Sequence, residues 1–364
     1  MYVCGVTPYD TTHLGHARTY LLFDVLARHL IARGQRVRYV QNVTDIDDSI
    51  LKRARELGIP YDELGDRYTA VYMEDMAALN ARPADVYPTA TDAIPAMQEM
   101  IDRLIDAGHA YLLANGDVYF RVASSPTFGE LSRLPRAAML TEFAAQDDAT
   151  LDDDRKDDAL DFPLWRAARP GEPAWESPWG RGRPGWHIEC STMALQHLGP
   201  QVDIHGGGDD LVFPHHECEI AQSEAATGVR PFSLVWVHVA MVRLGGEKMS
   251  KSLGNLVFVR ELLQRYSANA LRAYVLATHY RRPLDYDESE LRRAEELADR
   301  LELAAAGDDP RPHDEHRRAF TAALDDDLDT GRALAILDNL ALSGPGSALR
   351  ELADCLGLDL PAPA

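Results

Sequence analysis

Residues 1–43 read MYVCGVTPYDTTHLGHARTYLLFDVLARHLIARGQRVRYVQNV, and this stretch decides the fold. The apolar run 1–6 is a short strand, and the polar residues 7–16 (TPYDTTHLGH) form the loop that leaves it. A helical pattern follows, with Leu22, Val25, Leu26 and Leu30 on one face; it ends in basic residues and Gly34, which suits a left-handed C-terminal cap. Residues 36–43 (RVRYVQNV) read as a second strand. Strand, helix and strand make one βαβ unit, which predicts an α/β fold on a parallel sheet with right-handed crossovers. Ligands of such sheets sit beyond the carboxyl ends of the strands, and Cys4, Thr7, His13, His16, Thr44 and Asp45 all lie near that edge.

Working outward, helical patterns cover 62–80 and 90–107, the second stopping at Gly108. Asn115-Gly116 between β-prone runs predicts a hairpin over 111–121. Sheet character resumes at WHIEC (186–190) and at SLVWVHVAMV (233–242), a near-continuous apolar run that suits a central parallel strand. After about 258 the chain reads as helical, with Asp329 or Thr330 capping one helix and Gly357 following the last. The expected organisation is 1–84 as the first half of a nucleotide-binding catalytic domain, 85–180 as an insertion rich in Pro, Asp and Gly, and 181–245 as the second half. Segment 246–300 then carries a basic loop and helices, and 301–364 is a short helical C-terminal domain.

The 364 residues are 46% hydrophobic and 26% charged, a globular composition too long for one compact core. No apolar run reaches the roughly 20 residues of a membrane span, and the first residues lack the pattern of a signal peptide. Four scattered cysteines make no disulfide framework, so a reducing cytoplasm is expected. The net charge of −21 repels phosphate backbones at long range, which weakens nonspecific nucleic-acid binding without excluding a local basic face. Seven aspartates among the twelve residues 147–158 read as a solvated loop.

Two short motifs carry chemistry. His13-Leu14-Gly15-His16 opens a helix directly after a strand, so the helix N-terminus and two imidazoles face an arriving phosphate; Gly15 lets a planar ligand approach the backbone. Taken alone, these are also ordinary helix-start histidines. Lys248-Met249-Ser250-Lys251-Ser252 follows Gly245-Gly246, a natural hinge, and its two lysines can stabilise charge growing on a leaving pyrophosphate.

HLGH near the start and KMSKS more than 200 residues later together resemble the class I aminoacyl-tRNA synthetases. MYVCGVTPYD, NVTDIDDSILKRA, GRPGWHIECS, DIHGGGDDLVFPHHECEIAQ and EKMSKSLGN narrow the resemblance to the cysteine branch, from residue 1 to about 290. It implies a doubly wound parallel sheet, Rossmann-like and of the HUP type, that adenylates cysteine with Mg2+-bound ATP. In that branch a zinc ion binds the substrate thiolate, and the matching ligands are Cys4, Cys190, His215 and Glu219. The chemistry is sound, because zinc prefers thiolate and imidazole and deprotonates a bound thiol, whereas serine offers a far less acidic hydroxyl. His215 and Glu219, four apart, share a helical face. The residues by themselves leave His216, Glu217 and Cys218 as rival ligands. The resemblance further implies that Thr7, Thr44 and Trp186 line the cysteine pocket, and that Gly207 and Asp210 meet the nucleoside. The backbone at Met241 and Val242 is assigned to adenine, beside Ala240 where many relatives carry glycine. His13, His16, Lys248 and Lys251 are the implied catalytic residues.

Two relatives share this chemistry and differ in acceptor: cysteinyl-tRNA synthetases use tRNA, and mycothiol ligases use the amine of glucosaminyl-inositol. TPYDTTHLGHA, YDELGDRYT, EDMAALN, TDAIPAM, LWRAARPGEPAW and DDDLDTGRALAILD resemble the ligases, and with LADCLGLDLPAPA as the last residues no anticodon-reading module is expected. Glu219 and Arg18 lean towards the synthetases. The expectation is therefore a monomer acting on L-cysteine, ATP and a small amine acceptor, with tRNA(Cys) as the alternative and no membrane partner. A non-catalytic cysteine- or adenylate-binding paralogue is the reading from another class.

Overall fold

A computed structural model describes residues 1–146, 155–249, 254–307, 313–343 and 346–362. Most of the aspartate-rich run, 147–154, lies outside the described residues. The chain forms two compact units: Met1–Tyr9, Tyr39–Thr69 and Ala84–Val237 make the first, and Asp10–Arg38, Ala70–Pro83 and His238–Ala364 the second. These units interleave the five expected segments instead of following them in order.

The strands of the first unit, in chain order, are β1 Tyr2–Val6, β2 Val40–Val43, β3 Ala110–Leu112, β4 Val118–Phe120, β5 Phe162–Ala167, β6 Gly182–Pro184, β7 Val202–Gly208 and β8 Ser233–Val239. One sheet has the order β2-β1-β7-β8, with β1 parallel to both neighbours. Tyr2 stands opposite Val40 on one side and His205 on the other. Gly5 is demanded here, because a Cβ at that position would lie 1.6 Å from the Asn42 carbonyl oxygen. Its amide donates instead to Asn42 Oδ1 at 2.8 Å.

Three local expectations change. Residues 36–39 stay outside β2: Arg36 and Arg38 are exposed, and Tyr39, although buried, precedes the first ladder pair at Val40. The 233–242 run ends at Val239 and lies at the edge of its sheet, not the centre, with Leu234 54% and Val235 49% exposed. An apolar run does not by itself fix a strand's rank in the sheet. WHIEC opens a helix, Trp186–Leu198, instead of a strand. Its β-prone residues are overruled by burial, since His187, Ile188, Glu189 and Cys190 are all enclosed.

The second sheet, β3-β4-β5-β6, is antiparallel and extends past the expected insertion boundary to Pro184. Gly116, at φ +94°, makes the turn between β3 and β4. Residues of both sheets and of helices Ala90–Asp106 and Trp186–Leu198 fill one continuous apolar core.

The second unit contains helix Leu14–Ala32 and a small sheet of β9 Val242–Leu244, β10 Glu247–Lys248 and β11 Leu284–Asp285. Its helices Ala268–Ala277, Glu288–Ala305, Asp314–Asp325, Thr330–Leu342 and Gly346–Cys355 follow. Asp329 is the cap anticipated for Thr330–Leu342, its Oδ1 accepting from the Arg332 amide at 3.0 Å. Arg272, fully buried, pairs with Asp24 and donates to the carbonyls of Leu79 (2.8 Å) and Leu356 (2.9 Å). Among the described residues no helix is long and apolar enough to cross a membrane.

Candidate active site

Four donors expected to hold a metal converge inside the first unit. Cys4 comes from β1, Cys190 from helix Trp186–Leu198, His215 from the irregular turn Val212–His216, and Glu219 from helix Glu217–Thr227 that continues it. All four are buried, and their ligand atoms lie within 4.8 Å of one another. Cys4 Sγ is 3.4 Å and His215 Nε2 3.2 Å from Glu219 Oε1.

A second set, Cys4, His205, His216 and Glu219, meets the same distance limit. His216 was among the rivals left open by sequence, whereas His205 was missed. Its Nε2 lies 3.0 Å from Glu219 Oε2. Of the other rivals, Glu217 is directed elsewhere, its Oε2 accepting from the Ser132 amide at 2.8 Å. Cys218 is buried but belongs to neither set.

Burial sets the charge state of these donors. It pushes the Glu219 carboxyl well above the usual range, helped by Cys190, and raises the Cys4 thiol likewise. It drives His215 well below an ordinary imidazole, with His187 and His205 adding to the effect. Burial thus favours the neutral forms of Glu219, Cys4 and His215, and a dication in their midst would reverse the preference of the carboxyl and the thiol. The donor set fits zinc: two sulfurs, one imidazole nitrogen and one carboxylate oxygen can make a tetrahedral shell. His215 Nε2 supports that fit, being buried and turned into the donor cluster, 3.2 Å from Glu219 Oε1 without an aligned hydrogen bond, while Nδ1 lies 2.9 Å from His187 Nδ1.

Other residues assigned to cysteine and nucleoside surround this cluster unevenly. The Trp186 ring lies 4.2 Å, centre to centre, from the His215 ring. Thr44 follows β2, buried, its hydroxyl accepting from Asn42 Nδ2 at 3.1 Å and its amide donating to the Val6 carbonyl at 2.9 Å. Thr7 is half-buried just beyond β1. Gly207 abuts the metal donors, for a Cβ there would stand 3.5 Å from Cys4 Cβ and 2.8 Å from Leu211 Cδ1. Asp210 is exposed in the turn after β7.

In the second unit His13 is the N-cap of helix Leu14–Ala32 and His16 its third residue. His13 Nδ1 accepts from the His16 amide at 3.3 Å, and His16 Nδ1 accepts from the His13 amide at 3.4 Å. Burial, with the His13 ring close by, lowers the His16 pKa well below the ordinary value. An Nδ1 that accepts from a backbone amide carries no proton, so the neutral ring bears its hydrogen on Nε2. Gly15 has a structural reason beyond ligand approach, since a Cβ there would lie 2.9 Å from the His13 ring.

Gly245-Gly246, expected to serve as a hinge, forms a tight turn between β9 and β10 in this structure, with positive φ at both residues, +62° and +83°. The Gly246 amide donates to Asp285 Oδ1 at 2.9 Å, which holds that turn in place. The backbone of Lys248 belongs to β10, while Ser250, Lys251 and Ser252 lie outside the described residues. The Met241 carbonyl accepts from Leu284 (3.1 Å) and the Val242 carbonyl from Met249 (3.2 Å), so both are already engaged within the chain.

Residues 1–296 match the family of class I (C) tRNA synthetase catalytic domains. The cysteine–tRNA ligase of Dehalococcoides mccartyi is 48% identical over 99% of this chain and 82% of its own length. That of Alkalilimnicola ehrlichii is 48% identical over 98% and 80%, and that of Pseudomonas aeruginosa 49% over 94% and 74%. Among solved structures, Mycobacterium tuberculosis methionyl-tRNA synthetase in complex with methionyl-adenylate superposes with a TM-score of 0.68 at 19% identity. It covers 93% of this chain and 81% of its own, a likeness of fold.

Proposed function

Because the chain belongs to the class I tRNA synthetases of the cysteine branch, a family of ligases, we propose that it activates L-cysteine with ATP and transfers it to tRNA(Cys). The observation that carries this reading is the buried convergence of Cys4, Cys190, His215 and Glu219. A zinc ion held there would supply a thiolate-selective contact that serine cannot match and alanine lacks altogether.

Around that contact the chain's own residues orient two substrates. In the first unit Thr7, Thr44 and Trp186 enclose cysteine, and Gly207 and Asp210 receive the nucleoside. The cysteine carboxylate attacks the α-phosphorus of Mg2+-bound ATP, and the bond to the departing pyrophosphate breaks. His13 and His16 donate from Nε2 to the phosphates, and Lys248 and Lys251 stabilise the charge gathering on pyrophosphate. Gly15 keeps the helix start compact enough for that approach. A terminal ribose hydroxyl of tRNA then attacks the cysteinyl-adenylate carbonyl and releases AMP.

This reverses the order of acceptors suggested by sequence alone, which placed glucosaminyl-inositol first. The three relatives described above, 48–49% identical over nearly the whole chain, support tRNA and outweigh the six short stretches that suggested the aminosugar. The deciding experiment supplies zinc-loaded enzyme with cysteine and ATP, offers tRNA and glucosaminyl-inositol separately, and follows AMP release. Release stimulated by tRNA alone supports the proposal, and release stimulated by the aminosugar alone overturns the acceptor.

A further inference from the structure

Tyr2 and Cys4 are two residues apart in β1, so strand alternation turns both side chains to the same face of the sheet. Tyr2 is completely buried, and its hydroxyl finds no nitrogen or oxygen partner. On that face the hydroxyl is within reach of Cys190, Cys4 and Glu219, whose ligand atoms cluster together. The ring is held edge-on to His205 with centroids 5.0 Å apart, and the Tyr2 carbonyl meets His205 Nδ1 at 3.3 Å. A buried donor without a good acceptor is costly, and a neutral thiol is a weak acceptor. A thiolate is a strong one.

We propose that Tyr2 is a positioning residue whose hydroxyl donates a hydrogen bond to the Cys190 sulfur once that sulfur is a metal-bound thiolate. The inference rests on the reading of Cys4, Cys190, His215 and Glu219 as a metal site. Its chemical purpose follows from the charges. Two thiolates and a carboxylate outnumber the charge of a dication, and a substrate thiolate would add one more negative charge to a buried site. A hydrogen bond to Cys190 draws electron density from that sulfur, which leaves the metal more able to accept the incoming thiolate. It also fixes the direction of a donor that no other described oxygen or nitrogen is shown to hold. Such outer partners typically alter metal affinity about 10- to 100-fold.

The test uses the full chain, stripped by a chelator and reloaded with cobalt(II) or zinc, as wild type and as Tyr2→Phe. Phenylalanine keeps the ring packing and removes only the hydroxyl. The sulfur-to-cobalt charge-transfer band is expected at lower energy in the variant, because its thiolate is more electron-rich. Zinc affinity, measured by competition with a chelating dye, is expected to fall about 10- to 100-fold. The zinc-induced rise in Tm should shrink while the metal-free Tm stays the same or rises, a split that a purely structural role would not produce. An unchanged band with unchanged zinc affinity overturns the role of Tyr2 and leaves the metal reading intact. Wild-type protein that shows no thiolate band with cobalt overturns both.

Discussion

The rings of His13 and His16 stack with centroids 3.6 Å apart, and each Nδ1 accepts from the other residue's backbone amide. One pair of side chains thus builds the helix start, and the phosphate role proposed above falls to Nε2. The two roles are separable. His13→Asn supplies a good N-cap without an imidazole, so Tm should change little while cysteine-dependent pyrophosphate exchange falls about 10²- to 10³-fold. His13→Ala should lose the same activity and about 1 kcal/mol of stability as well. Parallel melting curves and exchange rates on both variants check this.

Cys4→Ser and Cys190→Ser replace a soft donor by a hard one within a buried cluster. Each should lower zinc content and reduce cysteine activation by more than about 100-fold, with far-ultraviolet dichroism unchanged. Metal analysis beside exchange kinetics is the appropriate measurement. Normal exchange in either variant would remove that sulfur from the site.

Asp47 caps helix Asp48–Leu57, its Oδ1 accepting from the Ile50 amide at 2.9 Å. Burial raises its pKa to about 6, partly opposed by that hydrogen bond. A raised folded pKa means that the native state holds the proton more tightly than the unfolded chain. The associated stability is fully present below the unfolded value and is lost as pH rises through about 6, by at most about 3 kcal/mol. Asp47→Asn preserves the cap and cannot ionise. Its stability relative to wild type should therefore grow between pH 4 and about 7 and level off above, as urea unfolding at several pH values would record.

Gly5 faces the Asn42 carbonyl so closely that Gly5→Ala must part β1 from β2. The expected loss is about 4 kcal/mol or more, read as a fall in Tm or as insoluble protein. Gly34→Ala, at a positive φ with open space around it, should cost only about 1 kcal/mol.

Local patterns made some of this architecture legible. The first strand and helix follow from an apolar run, a helical stripe and Gly34, which stands at φ +83°. Asn115-Gly116 likewise marks its turn. His215 and Glu219 share a face through their spacing of four, a feature that survives the irregular turn before Glu217. What stayed hidden depends on tertiary pairing. His205 joins the donors because β7 lies beside β1 with Tyr2 opposite His205, and nothing in HGGG announces that register. WHIEC carries strand-like residues yet becomes a helix in the core, and Gly245-Gly246 reads equally as hinge or turn until β9 and β10 are seen to pair. The fourth catalytic assignment, Lys251, lies outside the described residues.

The central claim is that a metal-bound sulfur selects the amino acid before ATP activates it. Its most direct test is amino-acid-dependent ATP–pyrophosphate exchange by zinc-loaded protein with cysteine, serine and alanine in turn. Rapid exchange with cysteine, at least about 10³-fold above serine and lost on zinc removal, is the predicted result. Equal exchange with serine, or full activity after the metal has been stripped, would contradict it.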